Sequence, residues 1–142
     1  MSIFDPAPEP WPSRFLALLR IISGLMFITG GTMKLFNYPP LPQGMPPIQL
    51  MSQAGIAGVL ELFGGILIVI GFLTRPTAFI LSGMMAVAYF QFHAPQNFFP
   101  SVNMGTPAVL YCFLFLYLVF AGPGAWSVDS LMARRRHAPG RT

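Results

Sequence analysis

Gly55 to Leu73 reads GIAGVLELFGGILIVIGFL, an apolar run broken by a single ionisable residue, Glu61. A run of this length and composition predicts a membrane-spanning helix. A carboxylate at that depth costs at least about 2.5 kcal/mol unless it is paired, protonated or hydrated. The neighbours of Glu61 at helical spacing, Ala54, Ala57, Gly58, Gly64 and Gly65, are all small and let another helix approach closely. Glu61 is therefore expected to face a protein interior, where a partner can neutralise it. No other residue in the sequence points as directly to a functional centre.

Composition widens that reading to the whole chain. Of its residues, 54% are hydrophobic and 8% are charged, against about 25% charged in a soluble domain. So much apolar surface cannot be hidden in a soluble core of this size, so the class is integral membrane protein, with the lipid bilayer as first partner. The length leaves room for one bundle and no second domain. The net charge is +4, but the basic residues are few and mostly terminal. No basic stripe with base-contacting side chains exists, which argues against a nucleic-acid partner. Cys112 stands alone, so no internal disulfide or CxxC pair can form, and it is expected to be a small buried hydrophobe.

Outward from Glu61, the apolar runs divide the chain into four expected spans at about 15–36, 55–73, 77–93 and 107–121. Residues 1–13, rich in proline and carrying Asp5 and Glu9, read as a flexible arm. Trp11 marks the bilayer interface. This N-terminus lacks the basic start of a secretory signal, so the first span is expected to remain as an anchor. Asn37 to Gln53 and His93 to Thr106 form two long connections, and IQLMSQ in the first suits the interface. Thr74–Arg75–Pro76 is expected to be a tight turn, with Pro76 opening the third helix. Residues 130–142 form a basic tail. Arg14, Arg75 and the tail arginines lie on one side, while the long connections carry no basic residue, so the positive-inside rule places both termini in the cytoplasm. The expected fold is an all-α, four-span helix bundle in a bacterial inner (plasma) membrane.

Polar residues recur on the inward stripes. Arg20, Ser23, Gly24, Phe27, Gly30, Gly31 and Lys34 share one face of span one. Ser82, Gly83, Ala86, Tyr89 and His93 share one face of span three. Lys34, Glu61 and His93 fall at a common depth in the outer half of the bilayer, with Arg20 and Asp129 towards the other side. Two readings of these groups compete. In the structural one, Lys34–Glu61 and Arg20–Asp129 are ion pairs that hold helices in register. In the functional one, Lys34, Glu61, Tyr89 and His93 form a polar pocket for a quinone head group or for proton exchange, with Phe27, Phe63 and Phe90 as walls. A transport path is a third alternative. Nothing has metal-ligand spacing, a haem would need a second facing histidine, and no cofactor motif is present. The chain is thus expected to hold no cofactor of its own beyond a diffusible quinone.

Four segments in order, GGTMKLF (Gly30 to Phe36), AGVLELFGGILIVIGFLTRPTAFIL (Ala57 to Leu81), FHAPQNFFPSVN (Phe92 to Asn103) and GPGAWSVD (Gly122 to Asp129), make the chain resemble the DoxX family of small four-span membrane proteins. The resemblance covers about Arg14 to Asp129. It implies a four-helix bundle (residues 14–129) associated with respiratory redox systems. A non-catalytic accessory or assembly subunit of a membrane oxidoreductase follows as the leading functional expectation, with a larger membrane complex or a homo-oligomer as its setting. The matching polar positions are Lys34, Glu61, Arg75, His93, Asn103 and Asp129. One departure stands out: family members often carry a carboxylate at the start of the last span, where this chain reads MGTPAVLYC.

Overall fold

A computed structural model describes residues 9–136 of the chain. Among them the fold is all-α, with helices α1 (Trp11–Phe36), α2 (Gln53–Ile70), α3 (Thr74–Ala88), α4 (Thr106–Ala121) and α5 (Val128–Arg136), and a π-helical turn, Tyr89–His93, that extends α3. Two of these, α1 and α2, are both long and apolar enough to cross a membrane. At 1.5 Å per residue they reach roughly 39 and 27 Å, while α4 reaches roughly 24 Å. Residues 1–8 of the expected arm, and residues 137–142 of the tail with His137 and Arg141, lie outside the described residues.

Burial follows the opposite logic to a soluble domain. Large apolar side chains point outwards: Phe15, Ile22, Phe63, Phe79, Phe113 and Phe120 are all more than half exposed. The interior between α1 and α2 is built from Gly24, Gly31, Gly58 and Gly65. A Cβ at Gly31 would stand 2.5 Å from the Leu62 nitrogen and 2.8 Å from the Gly58 carbonyl oxygen, so these backbones touch. Small residues at a helix contact and bulky ones facing outwards are the pattern of packing in lipid, where close van der Waals approach replaces the hydrophobic effect. An apolar core remains where α1, α3 and α4 meet: Phe27, Ala78, Leu81, Phe115 and Leu118, joined by Ile68 of α2. Phe27 meets Phe115 edge-on at 4.7 Å and Tyr111 at 4.9 Å, which ties α1 to α4. Ser82 donates to the Cys112 carbonyl at 2.8 Å and so links α3 to α4; Cys112 itself is half-buried.

Several boundaries differ from the sequence expectation. α1 starts at Trp11, with Pro12 in its first turn, where no backbone donor is lost. α2 starts at Gln53 because Ser52 caps it, its Oγ accepting from Gly55 N at 3.1 Å. It ends at Ile70 because Gly71 takes the left-handed conformation. The turn between α2 and α3 is therefore Gly71 to Leu73; Thr74–Arg75–Pro76, expected as the turn, is the first turn of α3. No helix forms in IQLM of the first connection, and α4 begins at Thr106. The first part of the basic tail is helical, as α5.

Candidate functional site

The three-residue turn fixes one end of the α2–α3 pair, while long connections separate the helices at the other. The first end is organised by Arg20. Its side chain is fully buried, yet its nitrogens donate to five backbone carbonyls: Ile68 (2.6 Å), Val69 (2.5 Å), Pro123 (2.7 Å), Ala125 (3.2 Å) and Trp126 (2.9 Å). Ile68 and Val69 belong to the last turn of α2, whose carbonyls carry partial negative charge; the Ile68 carbonyl also accepts from Gly71 N at 3.2 Å. The guanidinium thus closes a helix end and pins the 123–126 loop at once. Gly124, with positive φ, permits that loop to lie against α1, where Ala125 N donates to the Ser13 carbonyl at 3.1 Å.

Asp129 makes no direct salt bridge to Arg20, the contact expected from the sequence, although its charge lies close enough to act on the guanidinium. Its two carboxylate oxygens accept from Leu73 N and Thr74 N, each at 2.9 Å. Reaching over from α5, it supplies acceptors to the start of α3, whose N-cap residue Leu73 has no side-chain cap of its own. Backbone carbonyls outcompete the carboxylate for Arg20 because the α2 terminus and the loop present five acceptors around one fixed fork.

The other end holds a cavity of about 880 Å³. Lys34 from α1, Glu61 from α2 and His93 from the π-helical turn all line it, among apolar side chains that include Phe27, Met84 and Met85. Lys34 Nζ donates to Glu61 Oε1 at 2.5 Å, the expected pair. The other carboxylate oxygen, Oε2, is buried and has no hydrogen-bond partner. It faces Gly30, where a Cβ would stand 3.0 Å away. Met26, Ile56, Ile80, Val87 and Phe92 line the cavity and are also largely exposed on the outer surface, so it opens sideways, where lipid would lie.

Tyr89, the fourth expected pocket residue, does not line the cavity. Its hydroxyl donates to the Phe98 carbonyl and accepts from Asn103 Nδ2 at 3.4 Å. Nor do Phe63 and Phe90 form walls; both face outwards. Of the expected wall residues, Phe27 is in place. Gly83, placed on the inward stripe, is exposed, one position round the helix from the buried Ser82.

Asn103 is the organiser that sequence reasoning noted without assigning a task. Buried, it donates from Nδ2 to the Asn97 carbonyl at 2.6 Å and accepts at Oδ1 from Gly105 N at 2.7 Å. Its own carbonyl lies 3.0 Å from His93 Nδ1. A carbonyl only accepts, so Nδ1 carries the hydrogen and the other ring nitrogen is left as an acceptor in the neutral imidazole. Among the described residues, no group of three or more His, Cys, Asp or Glu side chains gathers to hold a metal.

This is a small helical membrane protein with a laterally open cavity against an intramembrane ion pair. The chain belongs to the DoxX family, whose model matches residues 15–94. It is 43% identical over 125 residues to an uncharacterized protein of Haemophilus influenzae, covering 86% of this chain and 93% of that protein. It is 34% identical over 125 residues to the inner membrane protein YqjF of Escherichia coli, covering 82% of this chain and 90% of that one. An uncharacterized membrane protein of Mycobacterium tuberculosis is 26% identical over an alignment of 162 positions spanning 99% of both chains. No solved structure matches the chain.

Proposed function

We propose that this protein is a multi-pass inner-membrane accessory component of a membrane redox system, without catalytic activity of its own, whose cavity holds a lipophilic molecule of the quinone class. The cavity beside Lys34 and Glu61 carries this reading. Its volume falls in the range of sites for small organic ligands, roughly 300–1,000 Å³, and it combines apolar walls with a few polar groups as such sites do. The sideways opening admits a molecule dissolved in the bilayer. Lys34 keeps donors free of Glu61 that can polarise an oxygen of the head group. Membership of the DoxX family and the similarity to an inner membrane protein of Escherichia coli support the setting.

All four long helices span the bilayer in this reading, with α3 and its π-helical turn reaching about 30 Å and the shorter α4 meeting a thinned bilayer. Arg14, Arg75 and Arg134 to Arg136 then lie on the cytoplasmic side with both termini, and Lys34, Glu61 and His93 lie in the outer half. An alkaline phosphatase fusion after Pro47 should be active and one after Thr142 inactive; the reverse pattern would overturn the orientation.

The functional test is purification in mild detergent followed by organic extraction. Quinone should be recovered in near-equal amount with the wild-type chain and lost from Glu61→Gln and His93→Ala. A stoichiometric partner protein should accompany the chain. A chain that carries no quinone, or that runs alone with activity of its own, would sink the respective half of this reading.

A further inference from the structure

We propose that an outward-facing groove between α3 and α4 holds one anionic phospholipid, with its phosphate on Arg75 and an acyl chain along the groove. This site does not depend on what fills the cavity beside Lys34. The groove is lined by Pro76, Phe79 and Ile80 of α3 and by Val119 and Phe120 of α4, with Arg75 at its head, and takes in about 520 Å³. Phe79, Ile80 and Phe120 are all more than half exposed, so the groove opens to the outer surface of the bundle, where lipid would lie. From Arg75 to Ile80 it follows α3 for roughly 8 Å.

Arg75 is exposed, yet its head is held in place. Nη1 donates to the Val119 carbonyl, in the last turn of α4, at 2.9 Å. A Cβ at Gly122 would stand 3.3 Å from Nη2, so the guanidinium lies against that glycine. The fork carries five N–H donors, and the Val119 carbonyl takes one. Among the described residues no carboxylate forms a salt bridge with it. A fixed, uncommitted fork of this kind matches the oxygens of a phosphate. The height also fits a head group. Exposed Trp11 and Trp126 stand at this end of the bundle, where Ala125 N donates to the Ser13 carbonyl, and tryptophan collects at the membrane–water interface. Asp129 brings α5 against Leu73 and Thr74, and with it Arg134, Arg135 and Arg136. Their field favours a head group with net negative charge over a zwitterionic one. The fork takes the head and the apolar groove takes the tail, so the occupant is a lipid and not free phosphate.

The full chain, purified in mild detergent and delipidated, is titrated with dioleoyl phosphatidylglycerol and with dioleoyl phosphatidylcholine, and bound lipid is counted by native mass spectrometry. One phosphatidylglycerol per chain is expected, held several-fold more tightly than phosphatidylcholine. Arg75→Gln should lower that affinity at least about tenfold, the ratio of a charge-assisted hydrogen bond lost. Arg134→Gln, Arg135→Gln and Arg136→Gln together should lower it less than Arg75→Gln alone. Phe79→Ala truncates an exposed groove wall, so it should weaken lipid binding at an unchanged melting temperature, and it carries the test if Arg75→Gln does not fold. Sodium phosphate should not displace the lipid. Failure to bind phosphatidylglycerol, equal retention of the two lipids, or displacement by phosphate would each overturn the site. So would a loss that follows the α5 arginines and spares Arg75→Gln, or full lipid affinity in Phe79→Ala.

Discussion

The two ends of the helix assembly solve the same problem, a charge buried among apolar helices, in opposite ways. At one end Arg20 saturates itself on five carbonyls that belong to fixed backbone. At the other, Lys34 and Glu61 neutralise each other beside a cavity, with one carboxylate oxygen buried and left without a partner. The only other buried side-chain atom without a partner among the described residues is the Thr74 hydroxyl, which is neutral and far cheaper to leave unmade than a carboxylate bond. A saturated network rigidifies, and an incomplete one at a cavity is where a ligand gains most. The Arg20 end is thus the keel of the fold and the Lys34 end its receptor.

Arg20→Met is the most severe way to break that contrast. It strips five buried or partly buried carbonyls of the guanidinium, and of these Ile68 keeps Gly71 N as a second donor. Even Arg20→Lys, with a single nitrogen in place of the planar fork, abandons at least two of them and costs about 2–6 kcal/mol. Fluorescence-detected size exclusion after heating should find little folded Arg20→Met at any temperature. A melting point near that of the wild type would remove the keel from the comparison.

Glu61→Ala comes next, at about 3–5 kcal/mol, because Lys34 is left partly buried without a counter-charge. The double variant Lys34→Met, Glu61→Met separates a receptor from a mere fastening. If the pair exists for binding, replacing both charges by apolar side chains of similar length restores thermal stability to the wild-type level or above, as buried pairs often allow, while ligand retention is lost. A double variant as unstable as Glu61→Ala would make the pair a fastening after all.

Between the ends, the α1–α2 seam sharpens the comparison. At Gly31 a Cβ would meet backbone atoms of α2, which cannot move aside; Gly31→Ala should force the helices apart and cost about 1–3 kcal/mol. At Gly83 a Cβ meets nothing within 4 Å, so Gly83→Ala should be neutral or stabilise by up to about 1 kcal/mol. Thermal unfolding of the two side by side distinguishes a packing glycine from an idle one.

What the sequence disclosed follows the same division. The Lys34–Glu61 pair was legible because both residues sit on stripes of small residues at one depth, and helical periodicity alone brings such stripes together. The Arg20 cluster was not, since its partners are backbone carbonyls, which carry no residue signature. Pairing Arg20 with Asp129 followed from charge and side of the membrane, but the carboxylate serves a helix start 55 residues away in sequence. Tyr89 lies on the buried face that periodicity gave it, but its hydroxyl is committed to Asn103 and Phe98 of the following connection, which helical spacing does not show. The cavity itself has no sequence signal: the same residues could have packed shut.

The smallest expected effect tests whether the two ends are independent. Asp129 accepts from two N–H groups with its two oxygens. In Asp129→Asn one oxygen becomes an amide nitrogen that confronts an N–H with another donor, so one bond of the cap is lost and stability falls by about 1–2 kcal/mol. The cavity is untouched. A ligand that binds only the folded state raises stability in proportion to RT ln(1 + [L]/Kd). The rise in melting temperature produced by a saturating benzoquinone should therefore be as large in Asp129→Asn as in the wild type, and absent in Glu61→Gln. A ligand response that shrinks in Asp129→Asn would mean that the keel and the receptor are coupled through α2 and α3, and that the two ends are one device.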